Sequence, residues 1–130
     1  MERPKILIVD DEDQMRSTLN SFLSERIDCD IYEAADGYKA IEYLKANNID
    51  LMILDIRMPG ISGIDVIKEA KKLTPEVKII VITKWDSPEV SQEVAQAGAD
   101  YMPKPFSLKV LQSKIKEILT QADKFIPKIH

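Results

Sequence analysis

The sequence predicts an α/β domain: a doubly wound, five-stranded parallel sheet with helices on both faces. Two observations carry this. Three short runs, Lys5 to Val9, Leu51 to Leu54 and Lys78 to Thr83, are almost continuously apolar rather than alternating, which is the pattern of strands buried on both faces. Stretches with apolar residues at helical spacing separate them, so strand and helix alternate five times along the chain.

The first strand, Lys5-Ile6-Leu7-Ile8-Val9, runs into Asp10-Asp11-Glu12-Asp13. A helix follows, with Met15, Leu19, Phe22 and Leu23 at its spacing, Asp13 in the N-cap position and acids in the first turn to suit the helix dipole. Asp30 to Ala34 is a more polar strand, and Ala40, Ile41 and Leu44 mark the second helix, closed by Asn47-Asn48. The third strand ends at Asp55 and is followed by the breaker Met58-Pro59-Gly60; Ser62 then caps a third helix with the expected inner stripe Ile64, Ile67, Ala70 and Leu73. The fourth strand closes on Thr83. Ser87-Pro88 opens the fourth helix, Val90, Val94 and Ala97 face inward, and Gly98 stops it. A short strand at 99–102 meets Pro103-Lys104-Pro105, and the last helix starts at Ser107 with Leu108, Leu111, Ile115, Ile118 and Leu119 inside.

The three uniformly apolar strands belong in the centre, while the polar strand at 30–34 and the proline-ended one at 99–102 suit the edges. Right-handed crossovers then give the order 2-1-3-4-5, a flavodoxin-like arrangement. Residues 1–121 are expected to form the domain. Residues 122–130 are expected to be a tail or the start of a linker, since Phe125, Ile126 and Ile129 have little domain left to bury them and Pro127 breaks any helix.

Composition narrows the function. The chain has 130 residues, 45% of them hydrophobic, which suits one domain with a real core. A net charge of -4 and the lack of a basic stripe interleaved with aromatics argue against direct nucleic-acid contact. No apolar run is long enough to span a bilayer and no signal-type segment opens the chain, so a soluble, cytoplasmic protein is expected. Cys29, the only cysteine, reads as packing, because the only histidine is His130.

In a parallel sheet all carboxyl ends of the strands share one rim. Asp10, Asp11, Asp55, Thr83 and Lys104 fall there, at the switch point where ligands of open α/β sheets bind. Two carboxylates about 4 Å apart repel by roughly 4 kcal/mol at an effective dielectric near 20, so converging acids call for a cation or shared protons. All-oxygen ligation suits magnesium, and no histidine or cysteine is placed to argue for zinc. A carboxylate beside a hard cation, with an ammonium and a hydroxyl from neighbouring strands, is equipped for phosphoryl transfer with Asp55 as the nucleophile.

Asp10-Asp11, Asp55 with Met58-Pro59-Gly60, Thr83, and Tyr101 before Lys104-Pro105-Phe106 together resemble the receiver domain of two-component response regulators, over about residues 4–121. The resemblance implies Asp55 as phosphoacceptor, Asp10 and Asp11 as the acidic pair holding Mg2+, and Arg57 as the residue lending its backbone carbonyl to the metal. It implies Thr83 and Tyr101 as a switch pair and Lys104 as the phosphate-binding lysine, joined to Pro105 by a cis peptide bond. The implied donor is a histidine kinase or a small phosphodonor. An output domain or downstream protein is the implied partner, and the face of the fourth helix, fifth strand and fifth helix would switch and could support a homodimer.

The chain departs from this pattern after the switch threonine, where the family usually has a small residue and this sequence has Lys84 and Trp85. These could screen an acyl phosphate from water, slow a donor's entry, or point to solvent. An alternative reading is a magnesium-dependent phosphohydrolase with an aspartyl-phosphate intermediate. Such enzymes usually carry an acid two residues after the nucleophile, where this chain has Arg57, and a substrate cap, for which there is no insertion. A flavodoxin-like nucleotide binder is a third reading, weakened by the lack of a glycine-rich phosphate loop among only four glycines.

Overall fold

A computed structural model describes residues 2–57, 60–84 and 87–128; Met1, Met58, Pro59, Trp85, Asp86, Ile129 and His130 lie outside the described residues. The elements are β1 (Lys5–Val9), α1 (Asp13–Arg26), β2 (Asp30–Ala34), α2 (Gly37–Ala46), β3 (Leu51–Leu54), α3 (Gly63–Leu73), β4 (Lys78–Thr83), α4 (Pro88–Gln96), β5 (Asp100–Pro103) and α5 (Leu108–Gln121). The sheet is parallel throughout, in the order β2-β1-β3-β4-β5. The central strands are the uniformly apolar ones, as their patterning requires.

Strand alternation divides the core in two. Leu7, Val9, Met52, Leu54, Ile79 and Val81 face α2, α3 and α4, whereas Ile6, Ile8, Leu51, Ile53, Ile80 and Ile82 face α1 and α5. Side-chain caps start α2, α3, α4 and α5: Asp36, Ser62, Ser87 and Ser107 each accept from a first-turn amide. Gly98, at φ +88°, turns the chain out of α4 in the left-handed conformation glycine adopts without strain.

Two local readings are corrected. Asp13 is the first residue of α1 rather than its cap, and Glu12 occupies the N-cap without a side-chain bond. The buried stripe of α3 is Gly63, Val66, Ile67 and Ala70, with Leu73 39% exposed. The helix is rotated toward its glycine because Gly63, lacking a Cβ, lets the backbone sit hard against Ile56.

The segment after α5 is docked rather than loose through Lys128. Asp28 donates its amide to Ile126 O (2.7 Å), Lys128 donates to Arg26 O (3.0 Å), and Pro127 forms an antiparallel bridge with Ile27. Lys124 pairs with Asp50, and Phe125 packs against the α1/α5 core. Its apolar surface thus finds a place at the base of the sheet, opposite the rim.

Candidate functional site

One further rung of backbone bonding extends the sheet past the strand ends. Asp10 donates its amide to Ala34 O (3.1 Å), Asp55 to Val9 O (3.0 Å) and Lys104 to Thr83 O (2.8 Å). The chain is therefore still in register where it delivers its polar side chains. By strand alternation Asp10, Asp55 and Lys104 continue the series of Ile8, Ile53 and Met102, on the α1/α5 side. Thr83 continues that of Ile79 and Val81 on the other side, where Tyr101 also packs.

The Lys104 ammonium donates to Asp55 Oδ2 at 3.0 Å and to Asp10 Oδ2 at 3.2 Å. The remaining oxygens are held by backbone: Asp10 Oδ1 accepts from the Glu12 amide and Asp55 Oδ1 from the Arg57 amide, both at 2.9 Å. Asp10 is 4% and Asp55 9% exposed, and the Lys104 side chain 5%. Burial pushes the Asp10 carboxyl above its ordinary pKa, outweighing the Glu12 amide and the Lys104 charge that pull it down. For Lys104 burial works toward a lower value, but the hydrogen bond from its ammonium to Asp55 and the two nearby carboxylate charges outweigh it, so its pKa is raised. The Lys104–Pro105 peptide is cis.

Two of the three expected acids are brought together. Asp11 is exposed and stands apart, and among the described residues no group of three histidine, cysteine or acidic side chains is arranged to hold a metal. A third carboxylate there would meet roughly 4 kcal/mol of repulsion from each neighbour at about 4 Å, and the one ammonium offsets only part of the charge of the pair. The donor chemistry nevertheless fits magnesium. Two buried carboxylates converge on the Lys104 ammonium at the rim, and the side-chain groups that could ligate an ion there are hard oxygens.

Thr83 is fully buried at the end of β4. Tyr101 is half-buried beside Val81, two residues back along β4, so the two side chains are diagonal neighbours on one face. Lys84 is exposed, yet it lines a cavity of about 410 Å³ together with Thr18, Lys104 and Phe106. Trp85, expected at the same mouth, lies outside the described residues.

Sequence reasoning passed over two residues. Arg16 donates to the main-chain carbonyl of Asp10 at 2.6 Å, but a helix arginine reads as solvated until the fold brings the acidic loop to it. Gly63 touches the residue after Asp55, and an isolated glycine beside a cap serine carries no such signal.

Comparison with known proteins bears on the family and the fold. The family model described as "Response regulator receiver domain" matches residues 6–116. A cyclic di-GMP phosphodiesterase of Thermotoga maritima is 34% identical over 115 residues, covering 88% of this chain but only 30% of that protein. The sporulation initiation phosphotransferase F of Bacillus subtilis is 30% identical over 92% of this chain and 96% of its own length. Among solved structures, a response regulator receiver domain protein (CheY-like) from Methanospirillum hungatei superposes with a TM-score of 0.88 at 31% identity, covering 95% of this chain and 98% of that one.

Proposed function

The chain belongs to the response regulator receiver domain family, the phosphorylatable signalling domains of two-component systems, and on that premise we propose that Asp55 is its phosphoacceptor. The observation that carries this reading is the single Lys104 ammonium shared by the buried Asp55 and Asp10 carboxylates at the sheet's rim. An Asp55 oxygen forms a bond to phosphorus as the donor's P–N or P–O bond breaks, giving an acyl phosphate. The transition state spreads negative charge over the equatorial oxygens. Lys104 supplies positive charge there, and the Thr83 hydroxyl supplies a donor. Asp10, Asp11, Asp55 and the Arg57 carbonyl would hold Mg2+, with the exposed Asp11 turning in. When bound, the ion neutralises charge on the carboxylates and the incoming phosphoryl group.

Phosphate on Asp55 draws the Thr83 hydroxyl inward, and Tyr101 follows into the space beside it. That reshapes the face of α4, β5 and α5 offered to an output domain, a downstream protein or a second copy of the chain. A histidine kinase or a small phosphodonor is the donor, and the receiver, acting in the cytoplasm, helps its own phosphorylation and dephosphorylation without turning over a metabolite. Among the described residues no helix is long and apolar enough to cross a membrane.

Incubation with acetyl phosphate or phosphoramidate and magnesium, followed by intact mass, tests this reading. One added phosphate in the wild type and none in Asp55→Ala supports it. Steady phosphate release from a generic phosphoester without a trapped adduct would instead make the chain a phosphohydrolase.

A further inference from the structure

We propose that Arg16 is a positioning residue for the acidic loop, holding the main chain of Asp10 so that its carboxylate faces the cation site. This rests on the magnesium-dependent reading above. Arg16 lies one turn into α1, with its side chain 13% exposed. Its guanidinium reaches three places at once. One terminal nitrogen donates to the Asp10 carbonyl at 2.6 Å, the other pairs with Asp13, and Nε donates to Glu33 Oε1 at 3.3 Å. Glu33 is held in turn by the Asn20 amide at 2.9 Å, so the fork is braced from β2 as well as from α1.

Asp10 is consequently pinned at every polar atom. Its amide is on Ala34, its carbonyl on Arg16, and its two carboxylate oxygens on Glu12 and Lys104. Among the described residues, the Arg16 contact is the one that ties the peptide joining Asp10 to Asp11, the pair on which the cation site depends. Guanidinium geometry matters here, because a lysine at the same place is a point charge without a fork.

Charge and position make opposite demands, which makes the inference testable. Removing a cation close to the acids should tighten a bound dication by Coulomb's law. Loosening the loop should weaken it, and outer partners of metal ligands are typically worth about 10–100-fold in affinity. The experiment is isothermal titration of magnesium chloride into folded wild type, Arg16→Gln and Arg16→Lys, with thermal melts and circular dichroism alongside. The expected result is roughly ten-fold weaker binding in both variants.

Magnesium binding in Arg16→Lys equal to wild type, or tighter binding in Arg16→Gln, would show that Arg16 acts through charge alone and would overturn the proposal. If Arg16→Gln does not fold, the charge-conserving Arg16→Lys decides the matter by itself. Wild type that neither binds magnesium nor gains phosphate would remove the underlying reading. Wild type that does both, beside an unaffected Arg16→Lys, removes only the role given to Arg16.

Discussion

Gly63 sits against the backbone of Ile56, so closely that a methyl group on Gly63 would come within 2.3 Å of the Ile56 Cα. The obstacle is main chain, and no side-chain rotation relieves it. Ile56 is buried and directly follows Asp55, so Gly63→Ala is expected to push the phosphoacceptor strand end out of place. Overpacking of this kind costs about 1–3 kcal/mol, which urea unfolding will read, and the rate of phosphate uptake should fall with it.

Asp10 gives the fold an acid-side dependence of definite sign. Its folded-state pKa is raised, chiefly by burial, so the folded chain binds this proton more tightly than the unfolded chain does. Stability from this group rises as pH falls through the folded value toward the ordinary carboxylate range. Asp10→Asn removes the cost of the buried charge. The variant should unfold at higher urea than wild type at pH 7, with the gap closing on acidification, while magnesium binding is lost.

Lys104 works in the opposite direction. Its pKa is raised by Asp55 and Asp10, so its contribution is complete below the ordinary lysine value and is lost as pH climbs through the folded one. Lys104→Met leaves two buried carboxylates without their shared partner, and breaking a buried ion pair costs about 3–5 kcal/mol. Urea titrations at pH 7 should show a loss of that order, diminished at acid pH where one carboxyl takes up a proton.

The docked segment at 124–128 can be tested by ending the chain after Asp123. This removes two backbone bonds to Arg26 and Asp28 and the Lys124–Asp50 pair, an expected loss of roughly 1–3 kcal/mol. Cys29 provides a second readout. It is buried, with its thiol pushed up to about 11 mainly by burial, so it should react slowly with a disulfide reagent at pH 8 and faster in the shortened chain.

Thr83→Val keeps the branched shape in a fully buried site and removes only the hydroxyl. Asp55 should still accept phosphate, more slowly. The change in Tyr101 near-ultraviolet dichroism on phosphorylation, expected in wild type, should disappear; if it persists in the valine variant, Thr83 does not drive Tyr101.

Much of this was legible in one dimension. Period and continuity of the apolar residues identify the strands, and the polar character of 30–34 and Pro103 sends those strands to the edges, so the order of the sheet follows from local patterning. Strand ends place Asp10, Asp55, Thr83 and Lys104 on one rim because parallel strands share a direction. What the tertiary structure alone decided is which charges meet. Asp10 and Asp55 share Lys104, Asp11 stays in solvent, Arg16 closes on the Asp10 carbonyl, and the segment after α5 returns to the base of the sheet. These depend on distances of a few ångströms between residues as far apart in sequence as Arg26 and Lys128. Hydrophobic patterning fixes which face a residue lies on, whereas the balance of desolvation and Coulomb attraction that selects a partner is set only once burial and separation are both determined.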